Sequence, residues 1–505
     1  MNPAADPAAV AALRGAFVAA GYTVDGLAAR WGAEAGAALE RGDRVPARRA
    51  LAAHPDALST LAAVLLLGDA VPRADLDAAL PGLGAEGAAA LGLVTLAADV
   101  AVPALDVRPY AFTDDAGAGE WWIASDLGEL AVGGALRTDH VLGVGGASVT
   151  LAGLVLPGPI DRALDLGTGC GIQALHLARH ARVVVATDIS ERALRLAAFT
   201  AALNGIDNIE FRLGSLFEPV AGETFDRIVS NPPFVITPRR PGVPEYEYRD
   251  GGLVGDDLVA SVVRGAGEHL APGGVAQLLG NWETSGDGDG LERALGWADA
   301  GAPGGLDAWI VERERLDPAH YAETWIRDGG TRADTPAGEE LVAAWLDDFE
   351  QRGVSAIGIG YVLLRRPGNG RTLRRAERLD GPVGSGLGAH LAAALDAHDR
   401  AATLDDDALA ASRLVVAGDV TEERSHWPGH GDPSAIVLRQ GGGFGRALRV
   451  DPGLAAVVGA CDGDLPLGAI TDAVAELLEA DAAALRVSVL SEVRELLVAG
   501  VLRFA

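Results

Sequence analysis

The sequence predicts an α/β protein built on a parallel sheet, with a smaller helical module on either side of it. Three stretches predict this. Residues 163–166 form a short apolar strand that runs into the glycines of DLGTGCG (165–171), and helical spacing resumes over 172–180. Residues 183–188 form a second apolar strand ending on Asp188, after which Ser190 opens a helix that Gly205 closes. Residues 225–230, FDRIVS, form a further strand that stops at NPPF. Strands alternating with helices assemble into a parallel sheet, and such sheets hold ligands beyond the carboxyl ends of their strands.

The tight turn over Gly167, Thr168, Gly169, Cys170 and Gly171 aims free backbone N–H groups at a ligand. A carboxylate at the tip of the second strand, Asp188, suits a ribose whose hydroxyls need acceptors. The spacing is GxGxG with Asp165 just before it, not the GxGxxG of dinucleotide binders, which crowd backbone against a pyrophosphate. This loop resembles the first motif of class I S-adenosylmethionine-dependent methyltransferases. The resemblance implies a Rossmann-like, seven-stranded core with S-adenosyl-L-methionine as cofactor. It places Asp165 and the turn from Gly167 to Gly171 on the methionine part, Asp188 on the ribose and Leu216 against the adenine, with Ile189 and Ser215 beside them. No metal is expected.

Asn231, Pro232, Pro233 and Phe234 carry the acceptor chemistry. Two prolines fix φ and have no N–H, so the backbone there presents only carbonyl acceptors in a stiff geometry. With the Asn231 side-chain carbonyl, they accept both hydrogens of a planar NH₂ group, and Phe234 offers a flat face to the conjugated plane behind that nitrogen. The tetrad resembles the [DN]PP[YF] motif of methyltransferases acting on amide or exocyclic amino nitrogens; Asn231 also borders the cofactor. DGG at 250–252 and the helix over 258–270 resemble release-factor glutamine N5-methyltransferases, a likeness covering about residues 142–281. Phe234 departs from that family's Tyr and resembles ribosomal RNA guanine N2-methyltransferases.

Composition bounds the rest. A chain of 505 residues, 49% hydrophobic, is ample for two to four domains, here 1–132, 133–366 and 367–505. Lys is absent, all basic residues being Arg, and the formal charge of −29 repels a polyanion, so any nucleic-acid site has to be local. Two cysteines, Cys170 and Cys461, suggest no disulfide framework, and no apolar stretch reaches spanning length. The expectation is a cytoplasmic protein with no membrane partner.

The N-terminal region is expected to be helical over 13–20, 46–51, 58–67, 73–80 and 84–91 and strand-like over 94–105, which suggests a winged-helix-like module. With no Arg or Lys over 74–106, DNA readout is not expected. The aromatic, strand-like stretch 107–127 packs that module against the core. The glycine-containing segment 140–150 precedes the first core strand, and in related methyltransferases its counterpart folds over the cofactor. Beyond NPPF, residues 245–257 read as a substrate-binding flap. After a turn at 272–274 come a fifth strand at 275–279, a sixth at 309–312 and a seventh at 357–364, with a helix at 339–352.

Arg365, Arg366, Arg371, Arg374, Arg375 and Arg378 form either a solvated linker or a phosphate-binding patch. His426 and His430 sit in SHWPGHGDP, which reads as a surface loop. Residues 454–504, with a DGDLP turn and a terminal strand, read as a second winged-helix-like module. The expected activity is methyl transfer to a planar NH₂ nitrogen, most directly a protein or peptide side-chain amide. An RNA base is the second substrate class, a non-catalytic cofactor-binding scaffold the third reading, and a small-molecule acceptor stays open.

Overall fold

The computed structural model describes residues 6–132, 137–244, 249–332, 334–368, 370, 372–384 and 386–505. The chain divides into two compact units, Met1–Ala152 with Pro159–Gly368, and Gly153–Gly158 with Asn369–Ala505.

In the first unit, seven strands share a sheet: β1 Ile160–Leu166, β2 Ala181–Asp188, β3 Ile209–Leu213, β4 Phe225–Ser230, β5 Leu270–Ser285, β6 Asp307–Leu316 and β7 Val354–Arg365. Their order is β3-β2-β1-β4-β5-β7-β6. Pairing is parallel from β3 through to β5, and β7 runs antiparallel to both its neighbours. Strand order reverses between β1 and β4, where an α/β sheet opens its crevice. Leu164, Val184, Val185, Ile228 and Val229 are fully or almost fully buried, as expected of strands covered by helices on both faces.

Register brings the expected segments to one edge. Leu166 lies opposite both Thr187 and Ser230, Asp188 opposite Leu213, and Ser230 opposite Leu278. One residue beyond that row stand Gly167 and Asn231, on strands about 4.8 Å apart. Helix α1 (Ile172–Ala178) follows the glycine turn. Helix α2 (Glu191–Asn204) begins where Ser190 accepts from the Ala193 N–H and ends at Gly205, left-handed at φ 71°, as the sequence predicts.

β5 corrects the expected fifth strand. It runs for 16 residues, not the five of 275–279. The expected turn at 272–274 is present as a bulge: Leu270 pairs with Phe225 but Val275 with Arg227, so the intervening residues loop out of register. Its far end outruns β4, whose last partner is Ser230 opposite Leu278, while β7 accompanies it to Ser285. β6 and β7 are likewise longer than expected. Between them lie two helices, α3 (Pro318–Asp328) and α4 (Pro336–Gln351), where the sequence suggested one at 339–352. Tyr321, Trp345 and Phe349 of these helices pack with Val235 and Ile236 in a separate apolar cluster.

The N-terminal region holds helices Pro7–Ala20, Val24–Glu40, Val45–Ala52, Ala57–Leu65, Arg73–Ala79 and Gly84–Ala90. The second, missed by periodicity, is broken at Gly32, where φ is 75°. Strands Val71–Pro72, Val94–Ala97 and Val100–Pro103 form a small antiparallel sheet. A hairpin of Asp106–Asp114 and Gly117–Ser125 then ties this region to the core. The Trp122 N–H donates to Asn204 Oδ1 (2.9 Å) and the Ala124 N–H to Thr200 Oγ1 (3.2 Å), both on α2. Phe112 and Trp121 pack on the His176 ring of α1 at 4.8 and 4.9 Å. Packing is thus the role of Trp121. Among the described residues, no single helix is long and apolar enough to cross a membrane.

In the second unit, Val420–His426, Pro433–Gln440 and Ala447–Val450 form one sheet, and Arg413–Val416 lies between Asp462–Pro466 and Leu502–Phe504 in another. DGDLP is therefore a strand, not the expected turn. Of the arginine run, Arg371 lies outside the described residues and two others are ion-paired. Arg365 of the first unit pairs with buried Asp307 (2.7 Å), and Arg375 of the second with Glu377 (3.1 Å) and Glu495.

Candidate active site

The turn after β1 requires three left-handed glycines, Gly167 (φ 78°), Gly169 (φ 54°) and Gly171 (φ 90°). A Cβ at Gly171 would lie 3.0 Å from that of Ala197, so this glycine lets the turn close onto α2. At Gly167 or Gly169 an added Cβ meets nothing within 4 Å, so those two border open space. Thr168 and Cys170 are buried, and burial pushes the Cys170 thiol up to about 11, which makes it a packing group and not a nucleophile.

Asp165 shapes the turn. Only 1% exposed, it accepts at Oδ2 from the Thr168 hydroxyl (2.6 Å) and the Ala174 N–H (2.9 Å). With these two bonds Asp165 holds the turn against the start of α1. Burial pushes its carboxyl up to about 7 against the pull of those two hydrogen bonds.

Asp188 reaches the same loop from β2. Its Oδ2 accepts from the Gly169 N–H (3.0 Å) and its Oδ1 from the Ser190 N–H (2.9 Å). Burial raises its pKa, which the backbone N–H groups counteract. Ile189 beyond it is 58% exposed. The Gly214 N–H donates to the Asp188 carbonyl (3.0 Å), which brings Ser215 and Leu216 to the same edge, Leu216 in the left-handed region at φ 46°.

At the end of β4, Asn231 Oδ1 is buried and, among the described residues, accepts no hydrogen bond. Pro232 is buried, while Pro233 and Phe234 are half-buried. Phe234 forms an isolated bridge with Asp250, the Val235 N–H donates to the Arg249 carbonyl (2.9 Å), and Thr237 Oγ1 donates to Asp250 Oδ1. The start of the DGG stretch therefore lies on the acceptor loop. Asp256 anchors the segment's far end through Arg293 (2.7 Å) and the Glu283 N–H (2.9 Å). Of the expected flap, residues 245–248 lie outside the described residues.

Three residues of this site escaped sequence reasoning. Asn281, fully buried on the β5 overhang, donates from Nδ2 to the Phe234 carbonyl and to Tyr321 Oη (2.8 Å). Tyr321 Oη, from α3, also accepts from the Ile236 N–H (3.0 Å). The chain on either side of Val235 is thus held by one Asn–Tyr pair. Trp325, one turn further along α3, stands edge-on to the Phe234 ring at 6.1 Å and 79°. Asn281 left one signal, a polar residue inside the apolar run LLGNW, whereas Tyr321 and Trp325 left none.

Residues 146–296 match the family model described as "Methyltransferase small domain". The core resembles class I S-adenosylmethionine-dependent methyltransferases. Residues 19–105 match a second model, "Domain of unknown function (DUF7059)". A ribosomal protein uL3 glutamine methyltransferase of Bradyrhizobium diazoefficiens is 34% identical over 166 residues, 31% of this chain and 52% of that protein. Release factor glutamine methyltransferases of Xylella fastidiosa and Geobacter sulfurreducens are 39% identical over 131 residues (24% of this chain, 47% of theirs) and 43% over 121 (22% and 42%). The chain spans about half the length of the curated relatives it matches. The methyltransferase match ends at residue 296, before α3 and α4 begin.

Proposed function

We propose that this protein transfers a methyl group from S-adenosylmethionine to the nitrogen of a side-chain amide in a protein or peptide. One observation carries the reading: Asn231 Oδ1 is a buried acceptor with no donor among the described residues, at the sheet edge where the glycine turn also lies. Leaving such an acceptor unmet costs about 1–3 kcal/mol, so a ligand N–H is its natural partner.

The residues present fit the cofactor. Gly167 and Gly169 leave open space beside the turn, Asp188 keeps lone pairs for ribose hydroxyls, and Ile189, Ser215 and Leu216 stand where an adenine would lie. When bound, S-adenosylmethionine supplies an electrophilic methyl carbon on sulfur. Asn231 Oδ1 and the Pro232 carbonyl draw on the two N–H bonds of the acceptor and loosen its lone pair from the amide plane. Phe234 stacks behind that plane. Held in this way, the acceptor nitrogen would be aimed at that methyl carbon, and one of its N–H protons would leave to solvent on transfer. Positioning supplies most of the rate, so no separate base is assigned.

A protein acceptor is supported by the names of the relatives, glutamine methyltransferases of uL3 and of release factors. It is also supported by the ion pairs that occupy Arg365 and Arg375. We assign the boundaries 1–132, 133–366 and 367–505 to two flanking modules and a core. In the first module, the order strand, two helices, two strands and the sheet order in which the last strand lies centrally support a winged-helix-like reading. Its helix Gly84–Ala90, which carries no Arg or Lys, fits a protein-facing role in the cytoplasm rather than DNA readout.

The test incubates purified protein with radiolabelled S-adenosylmethionine and host extract, half treated with RNase and half with protease. Protease alone should remove the label; loss with RNase alone would establish the RNA base that Phe234 favours. Asn231→Ala should abolish turnover and leave cofactor binding within about twofold. Retained turnover would remove Asn231 from its assigned role.

A further inference from the structure

We infer that Trp325 is a specificity-determining residue on the acceptor side, donating from its indole N–H to the carbonyl oxygen of the carboxamide whose nitrogen is methylated. The inference rests on the amide reading above and names a residue outside the stretch that matches the methyltransferase family model.

Trp325 belongs to the two-helix insertion between β6 and β7, and several contacts set its position. Its ring stands edge-on to Phe234 at 6.1 Å and tilted against Tyr321 at 6.1 Å. Its backbone carbonyl accepts from Arg249 Nη1 (2.7 Å), in the segment that pairs with the acceptor loop. Yet its Nε1 is buried and, among the described residues, donates to nothing. A buried indole N–H usually finds a partner, so an unmet one calls for an explanation.

Among the described residues, the same neighbourhood leaves two acceptors unmet, Asn231 Oδ1 and Asn281 Oδ1. The Asn281 orientation follows from its contacts, because its other terminal atom faces the Phe234 carbonyl and must be the nitrogen. Around Phe234, then, stand one donor and two acceptors without partners. A primary carboxamide carries what these atoms lack, a carbonyl acceptor for the indole N–H and, on the same carbon, an NH₂ group that meets Asn231 Oδ1 with one N–H and the Pro232 carbonyl with the other, Asn281 Oδ1 being a further acceptor. An alkyl amine such as a lysine side chain has no acceptor beside its nitrogen, and would leave the indole N–H buried and unpaired. A site built to pair a polar group rejects analogues that lack it, which gives Trp325 its role in selection.

The experiment compares wild type with Trp325→Phe, which keeps an aromatic ring against Phe234 and removes only the donor-bearing part. Both are assayed for initial rate against increasing amounts of RNase-treated host extract, with cofactor affinity and melting temperature measured alongside. The expected result is a fall of about ten- to a hundredfold in kcat/KM for the extract protein. Cofactor affinity should be unchanged and the melting temperature the same or higher, because an unmet buried donor has been removed. A purely structural tryptophan would instead lower the melting temperature. Wild-type labelling of protein with an unchanged kcat/KM in the variant would overturn the role of Trp325 and leave the amide reading standing. Label in RNA, or none in protein, would overturn both.

Discussion

Tyr321 joins the acceptor loop to the rest of the site through a single oxygen. Replacing it with Phe leaves the Ile236 N–H and one Asn281 N–H without an acceptor in a buried setting. Tyr321→Phe should lose roughly 1–3 kcal/mol of stability and at least about tenfold in turnover, with cofactor affinity retained. Denaturant titration and a split of kcat against KM would check this. Asp165 makes a different prediction, about pH. Its folded-state pKa, about 7, lies above the ordinary carboxylate value, so the folded state holds the proton more tightly than the unfolded chain. The stability linked to it is fully present below about pH 4 and is lost as pH rises towards and through 7. Asp165→Asn keeps an acceptor for Thr168 and Ala174 and cannot ionise. Its melting temperature should therefore fall less than wild type's between pH 5 and 8; parallel curves would show that Asp165 does not titrate in this range.

Among the elements, the glycine turn and β5 differ in how they could be read. The turn is local: three left-handed positions in five residues need glycine, and the sequence supplies it at each. Gly171→Ala combines a strained φ of 90° with a Cβ 3.0 Å from Ala197. It should destabilise by roughly 1–3 kcal/mol and weaken cofactor binding by pushing the turn away from α2, measurable by calorimetry with S-adenosylmethionine. β5 was read short because Gly280 and Asn281 break an apolar run that local signals treat as ended. In the sheet, β7 pairs along that overhang and keeps it extended, which sets Asn281 opposite the acceptor loop. Helix α3 was missed for a related reason: PAHYAETWIRD carries its buried residues, Tyr321, Ala322 and Ile326, on a narrow stripe among polar neighbours.

For the whole molecule, charge decides which acceptor is plausible. A net charge of −29 opposes a nucleic acid, and the arginines that could have formed a local phosphate site include Arg365, held by Asp307, and Arg375, held by Glu377 and Glu495. A protein acceptor should accordingly show KM changes of no more than a few-fold between 50 and 200 mM salt, whereas a partner held by several phosphate contacts would weaken by about 10³ or more. Steady-state assays of the extract protein over that range would separate the two.

The sequence by itself determined the sheet's first half, its glycine turn, the acid at the tip of β2 and the NPPF tetrad. Each is specified by neighbours within a few residues: left-handed glycines, a run of β-branched residues, two prolines in series. Only the tertiary structure decided that Asp165 ties the turn through Thr168 and Ala174, and that Arg365 and Arg375 are ion-paired. It alone set Asn281, Tyr321 and Trp325 around Phe234. Those three come from a strand overhang and an inserted helix 47 to 91 positions away, and contacts closed across such distances leave no pattern in the local order of residues.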